Sequence, residues 1–455
     1  MPERRYLHAA TVYAATGAPP ISDGYVEVGA DGRIAGVGTA AELAARRAEA
    51  PGEVADYGAA TLLPGMIDAH CHLTLTGDGK TYEEQVLDPD EMMSLIAVSN
   101  LRRHLASGVT TIRDNGGRNR VVFVVREAIA RGYVNGPRML LAGRPVTHSG
   151  GHFHWCNGVA DSDAELRAAV RTLVAEGADH IKIMASGGAT AGNLPYYPSY
   201  TAAEMRVAVD TAHGLGRLTT AHCRATESIG NAVDAGLDCV EHAEFLVPSP
   251  MMEFGNGVAA SGKMVYDPAV AARLHESGAY VSFTMQTGGW ETRTALRAAE
   301  RHRDLTPEER SRIAAIDAYI DMKLEIFGAL LGDGFGPKLA ISSDAGPYDV
   351  AFGGLQHGLD LAVRGGMSPR AAIDAATAIP ARSCGIADQV GTLEPGKRAD
   401  LLVVDGDATT DISAMWHVRA VYQDGRLVAP LIADSGPDRG DPTPRPTRTA
   451  ALPDC

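Results

Sequence analysis

The sequence predicts an α/β protein: a parallel (β/α)8, TIM-like barrel carrying a small β-sandwich domain built from both chain ends. Three observations lead there. Eight short β-rich runs recur along the middle of the chain, separated by helical stretches. Both flanks hold short β runs and turns without that alternation. The polar residues His70, His72, His222, His242 and Asp344 fall at the ends of these runs, where parallel barrels place their functional groups.

Taken in order, residues 7–57 contain β runs and turns such as Asp31-Gly32. The apolar run 61–67 leads into Asp68-Ala69-His70-Cys71-His72 as the first barrel strand. Runs 109–113, 138–142, 181–184, 218–222, 239–242, 280–283 and 338–343 complete the eight. Segments 163–176 and 201–214 between them carry Ala- and Leu-rich helical periodicity opened by Asp or Thr caps. Strands returning in parallel need such crossovers, so the series reads as βα units closing on themselves. Segment 286–336 is longer than one connection requires; its charged stretch Glu300-Arg301-His302-Arg303-Asp304 reads by default as a solvated helix, with a lid or an oligomer contact as alternatives. Around Asp400-Leu401-Leu402-Val403-Val404-Asp405-Gly406 the short β runs return. The expected domains are therefore 1–60 with 390–431 (sandwich), 61–389 (barrel) and 432–455, a flexible tail rich in Pro, Asp, Arg and Thr.

A chain of 455 residues with 45% hydrophobic content can bury a large core. Its 41 Lys and Arg against 56 Asp and Glu give a net charge of -15, which disfavours nucleic acid or an anionic membrane and leaves a small molecule or peptide as the natural partner. Met1 to His8 is not followed by an unbroken apolar segment and no run approaches bilayer length, so the expected location is cytoplasmic. The six cysteines show no Cys-x-x-Cys spacing, which suggests neither a disulfide framework nor a zinc ribbon. Cys71 and Cys223 adjoin histidines on strands and should face away from them as small core fillers.

On a strand, His70 and His72 point the same way and can grip one metal ion. His222, His242 and Asp344 end the fifth, sixth and eighth strands. Four imidazoles and one carboxylate form a ligand set for zinc or a similar divalent ion, although each alone could be a core histidine or a helix-capping aspartate. Lys182 lies between Ile181 and Ile183 in the fourth strand. If the isoleucines face the helices, its ammonium enters the barrel and should be neutralised, paired or chemically altered; otherwise it snorkels to the rim.

Three long segments carry a resemblance: Leu63-Pro64-Gly65-Met66-Ile67-Asp68-Ala69-His70-Cys71-His72, Gly108-Val109-Thr110-Thr111-Ile112-Arg113-Asp114, and Gly391-Thr392-Leu393-Glu394-Pro395-Gly396-Lys397-Arg398-Ala399-Asp400-Leu401. In these the chain resembles, almost from end to end, the amidohydrolase superfamily of metal-dependent hydrolases. The resemblance implies that Lys182 is carboxylated by carbon dioxide and bridges two metals, Zn2+ being expected. It implies further that His70, His72 and Asp344 hold one ion and His222 and His242 the other, and that Asp344 takes a proton as a metal-activated hydroxide attacks an amide carbonyl.

Thr147-His148-Ser149-Gly150-Gly151-His152 resembles the Gly-Gly-His of a subgroup with prolidase-like dipeptidases, ochratoxin-hydrolysing amidases and imidazolonepropionase relatives, which implies that His152 donates to the scissile carbonyl. Ser186-Gly187-Gly188 matches the same subgroup's loop. The second His-x-His, His152-Phe153-His154, reads as substrate contact from its glycine-rich context. Arg224 departs from the subgroup. Two residues past His222, it could fork onto a substrate carboxylate or pair with Glu227 or Glu241. The aromatic cluster Tyr196-Tyr197-Pro198-Ser199-Tyr200 could line a pocket for a larger or more apolar group, with Tyr200 as the substrate-binding candidate. The expected activity is metal-dependent hydrolysis of an amide or peptide bond in a small peptide or N-acyl amino acid. A peptide-tailoring amidohydrolase of a secondary-metabolite pathway, a cyclic amide hydrolase, a mononuclear deaminase-like variant and an inactive scaffold stand as alternatives, and a homo-oligomer is left open.

Overall fold

All eight β-rich runs of the middle region are strands, and they run parallel in two sheets. The first holds Met66–Cys71 (β1), Val109–Asp114 (β2) and Arg138–Leu141 (β3). The second holds His180–Met184 (β4), Leu218–Ala225 (β5), Cys239–Val247 (β6), Tyr280–Thr284 (β7) and Leu339–Ser342 (β8). The structure is a computed structural model that describes residues 4–249, 252–253, 259–260 and 262–429.

Backbone hydrogen bonds also run between the two sheets. Asp179 N donates to Leu141 O and Met184 N to Val146 O, each at 2.8 Å, beside β3 and β4. At the other seam Asp344 N donates to His70 O and His72 N to Ala345 O, again at 2.8 Å. Strands β1, β2 and β8 are buried along their whole length, as parallel strands covered on both faces must be. The helices form where the caps fall. Ser162 accepts from Glu165 N to open Asp163–Glu176, and Thr201 closes a capping box with Glu204 to open Ala202–Gly214. Leu166, Val170 and Leu173 of the former lie on one buried face.

Both chain ends meet in one eight-stranded sheet: Arg5–Val12, Ile21–Val28, Ile34–Thr39, Glu53–Asp56, Ala60–Pro64, Leu401–Asp405, Val418–Gln423 and Arg426–Ala429. Ala60–Pro64 runs antiparallel to Leu401–Asp405, with Leu401 opposite Pro64. Strand alternation divides these residues between two cores. Leu62, Leu401 and Val403 join Leu7 and Val26 in the core of the end sheet, while Leu63, Leu402 and Val404 belong to the main core. Gly65 alone separates Ala60–Pro64 from β1, and a Cβ there would lie 2.9 Å from Thr110 Cβ, so only glycine lets the chain pass from one sheet to the other.

Segment 286–336 corrects the sequence-based default. It holds Trp290–Glu300 and Pro307–Gly332. The second helix is solvated on one face only: Ile313, Ile316, Tyr319, Ile320, Lys323, Ile326, Phe327 and Leu330 recur every three to four residues and are buried, while Glu308, Arg310 and Asp321 are exposed. The charged residues that suggested a solvated helix fall at the end of Trp290–Glu300 and in the turn after it. Among the described residues no helix is long and apolar enough to cross a membrane. The tail at 432–455, with Cys455, lies outside the described residues.

Candidate active site

The C-terminal ends of the parallel strands open on a cleft of about 1030 Å³. His72, His152, His222, His242 and Asp344 line its floor, and Tyr82, Phe153, Arg224, Ile316, Tyr319 and Tyr348 stand among its walls. Two groups of imidazoles meet there. His70 Nε2 and His72 Nε2 are 3.3 Å apart, and Asp344 Oδ1 lies 3.4 Å from the first and 3.5 Å from the second. His242 Nε2 lies 2.9 Å from His222 Nδ1, and the rings of His70 and His242 are 4.8 Å apart.

The backbone carrying these groups is strained. His242, Ala243, Phe245 and Asp344 all have left-handed φ, at 68°, 51°, 51° and 56°. Such residues cost energy that the surrounding structure must hold, and they concentrate at functional sites.

The donor set fits a divalent cation. Ligand atoms of His70, His242 and Asp344 lie within 4.8 Å of one another and all three residues are buried. Burial pushes His72, His222 and His242 well below the ordinary imidazole range, with His70 adding to the effect on His72, His152 on His222 and His222 on His242. Neutral rings keep the lone pairs that a metal needs. Burial raises the Asp344 carboxyl, although His70 and Lys182 oppose it.

Lys182, on β4, is close enough to act on the charge of His72 and Asp344. Ile181 and Ile183 join the main core, as does each of Cys71 and Cys223. Lys182 is fully buried, and its Nζ has no hydrogen-bond partner among the described residues. Burial lowers its pKa, opposed by Glu241 and Asp344. Glu241 was not foreseen as part of the site. Its Oε2 lies 2.8 Å from His70 Nδ1, and its Oε1 accepts from Arg113 Nη2 at 2.7 Å and from the Thr220 hydroxyl. Arg113 Nε in turn donates to Ala69 O at 2.8 Å, tying β2 to the residue before His70. Burial alone would raise the Glu241 carboxyl, but Arg113 and His70 hold it well below the usual range. An ionised Glu241 beside Nδ1 favours the tautomer that leaves Nε2 of His70 free to face the cleft.

His152 reaches the cleft from the loop after β3. Its Nδ1 lies 2.7 Å from Thr190 Oγ1, which also accepts from Phe153 N at 3.4 Å. Thr190 can therefore give its proton to Nδ1, which leaves Nε2–H as the donor turned outward. The ring packs 4.6 Å from His222 and 5.7 Å from Tyr82. A Cβ at Gly188 would sit 2.6 Å from its Cε1 and Cδ2, so that glycine makes room for the imidazole.

Arg224 does line the cleft, but its partner is neither Glu227 nor Glu241. Nε donates to Glu244 Oε2 at 2.6 Å and Nη2 to the Tyr319 hydroxyl at 3.1 Å. Glu244 lies two residues past His242, and that spacing could have flagged it. Tyr319 and Lys323 could not have been found that way, because the helix Pro307–Gly332 brings them in. Tyr200 is also corrected: it is buried with its hydroxyl on Ala160 O at 2.8 Å and does not line the cleft. Tyr196 and Tyr197 pack against each other with ring centroids 4.9 Å apart, likewise outside the cleft. His154 turns its Nδ1 to Gly151 O at 3.0 Å and does not reach the floor. The aromatic walls come instead from Tyr82, Phe153 and Tyr348, with ring separations of 5.2 Å and 5.1 Å around Tyr82.

A family model described as the amidohydrolase family matches residues 61–428, from the strand before β1 to the last described strand. The chain belongs to that family. The amidohydrolase is 26% identical over 422 residues to the ochratoxinase of Aspergillus niger, spanning 84% of this chain and 78% of that protein. Among solved structures, a Xaa-Pro dipeptidase with bound methionine superposes with a TM-score of 0.74 at 24% identity, covering 93% of this chain and 99% of its own. The A. niger ochratoxinase structure gives 0.73 at 23%, over 93% and 95%. At these identities the structural likeness speaks for the fold.

Proposed function

We propose that this amidohydrolase is a metal-dependent hydrolase that cleaves an amide or peptide bond in a small peptide or N-acyl amino acid. One observation carries the reading: His72, His222, His242 and Asp344, from four different strands, line one cleft with His70 beside them, and the buried Lys182 has no hydrogen-bond partner among the described residues. The family and the ochratoxinase and dipeptidase relatives support it. We assign His70, His72, His222, His242 and Asp344 as the residues that would hold the metal, with Lys182, as its carboxylated form, supplying a further oxygen ligand. Zinc suits the imidazole-rich set. A bound ion supplies Lewis acidity and brings the pKa of water down toward about 7.

The rest falls to the chain. Asp344, turned toward both histidine groups, is placed to accept the proton of the attacking water at its carboxylate and pass it to the leaving amine. His152 Nε2–H donates to the scissile carbonyl oxygen, where negative charge builds in the transition state. Arg224 faces the substrate from the wall. We also infer that the seam hydrogen bonds join the two parallel sheets into one closed barrel spanning residues 61–389. On this reading the one sheet shared by residues 1–60 and 390–431 curls into a sandwich over its own apolar core, and the enzyme works in the cytoplasm.

The test is metal analysis of the purified protein, followed by a hydrolysis screen of dipeptides and N-acyl amino acids with the zinc-loaded enzyme. Up to two ions per chain are expected, with His70→Ala and Asp344→Asn losing metal and most activity while remaining folded. Full activity in both variants would sink the assignment.

A further inference from the structure

We infer that Asp68, Ser343 and His104 are positioning residues that fix Asp344 against His70, and that they fasten the loop after Asp344, one wall of the cleft, to the same anchor. This rests on the hydrolase reading above and adds how its site is held. All three side chains are fully buried, and none of them lines the cleft.

Asp68 Oδ1 accepts from two backbones at once, His70 N at 3.2 Å and Ser343 N at 3.1 Å. One oxygen thus sets the spacing between the ends of β1 and β8, where His70 Nε2 and Asp344 Oδ1 come within 3.4 Å. Asp68 Oδ2 accepts the Ser343 hydroxyl, whose oxygen accepts from Ala345 N at 2.9 Å. The residues before and after Asp344 are therefore held by one carboxylate–hydroxyl pair, while Asp344 N donates to His70 O at 2.8 Å. Asp344 needs such a hold. Its φ of 56° is one that a residue other than glycine keeps only where its surroundings over-determine it. With the backbone fixed on both sides, little remains to be ordered for the carboxylate to meet a cation.

His104 extends the network. It lies on the helix Asp90–Ala106, with Nε2 3.2 Å from Asp68 Oδ2. Its Nδ1 accepts from Gly353 N at 3.0 Å, so the neutral ring carries its proton on Nε2, toward the carboxylate. Phe352 packs on the same ring with centroids 4.7 Å apart. A Cβ at Gly353, whose φ is 90°, would lie 3.2 Å from Arg103 O, which shows how closely this stretch approaches the helix. Gly353 ends the loop 346–353, whose Pro347, Tyr348, Asp349 and Val350 line the cleft. The loop starts directly after Ala345. Both of its ends are thus fastened to one carboxylate, the first through Ser343 and the second through His104, so a shift of this wall is felt at Asp344.

Ser343→Ala removes the hydroxyl, His104→Phe keeps a ring and removes both nitrogens, and His104→Gln restores an amide donor toward Asp68. In chelator competition for zinc, Ser343→Ala and His104→Phe should each weaken affinity about tenfold or more, with His104→Gln recovering part of the loss. The visible spectrum of the cobalt-loaded protein should shift in the first two, and kcat should fall while KM stays as in the wild type. Thermal melts check that all three fold. Wild-type affinity and an unshifted spectrum in both Ser343→Ala and His104→Phe, whatever their melting temperatures, would reduce the network to core packing and overturn the proposal. If the wild type binds no metal, the hydrolase reading fails, and the network is judged by hydrogen–deuterium exchange of the metal-free chain. His104→Phe should then speed exchange across residues 344–353 and leave the β3–β4 seam at Asp179 and Met184 as in the wild type. Unchanged exchange across 344–353 overturns the proposal on its own.

Discussion

Gly188→Ala tests the placement of His152 without touching the histidine itself. The new Cβ would sit 2.6 Å from both Cε1 and Cδ2, against an ordinary contact of 3.4 Å or more, and closer still to Nε2. The ring has little room to yield: Phe153 lies 4.7 Å away, His222 lies 4.6 Å away, and Nδ1 is tied to Thr190. The imidazole must therefore shift by about 1 Å, a misplacement that typically costs about 10²-fold in rate. That is about 2.7 kcal/mol, the low end of what losing one donor to a developing oxyanion costs. Steady-state kinetics should show the loss in kcat, with metal content as in the wild type. In His152→Asn the same alanine should do little further harm, because both changes act through one ring. Wild-type kcat in Gly188→Ala, or independent and additive losses in the double variant, would refute the reasoning.

Lys182→Ala is expected to lower both metal content and activity, with partial rescue by a short carboxylic acid in the buffer; wild-type rates without rescue would count against a carboxylated lysine. Glu241→Gln should weaken metal affinity about 10–100-fold in a chelator competition. The double change Arg113→Met with Glu241→Gln removes the buried charge pair as a unit, and unchanged affinity in that variant would dismiss the orienting role of Glu241. His357, which does not line the cleft, is lowered by burial from 6.5 to about 4. The folded chain keeps it neutral where the unfolded chain binds a proton, so it contributes no pH dependence above about 6.5 and costs stability as pH falls from there toward about 4. Urea midpoints at pH 7.5 and pH 5 should therefore differ less in His357→Gln than in the wild type, and equal differences would remove this contribution.

The strands and the metal-ligand candidates were legible in the sequence because both follow from period. His70 and His72 share a face by alternation, and His222, His242 and Asp344 stand where apolar runs end. Residues whose meaning depends on a distant neighbour were not legible. Arg224 pairs with a glutamate from the adjacent strand and a tyrosine from a helix about a hundred residues on, and no local pattern announces either. Tyr200 looked like a ligand contact because it sat in an aromatic cluster, but a carbonyl on a different loop satisfies its hydroxyl and draws it inward. The actual aromatic wall gathers Tyr82 and Tyr348, one ring each from opposite ends of the barrel sequence.

The pairing of Ala60–Pro64 with Leu401–Asp405 sets an order of events during synthesis. Strand Ala60–Pro64 emerges early, one residue ahead of β1 and its histidines, yet one of its edges is completed only by residues made more than three hundred positions later. Domains fold as units as the chain emerges, but here the strand leading directly into β1 keeps one unpaired edge until Leu401–Asp405 has been made. Such long-range pairing is slow to form and leaves apolar strand edges exposed meanwhile. Leu62 and Leu63, which face two different cores, are then the residues most in need of protection in a nascent chain.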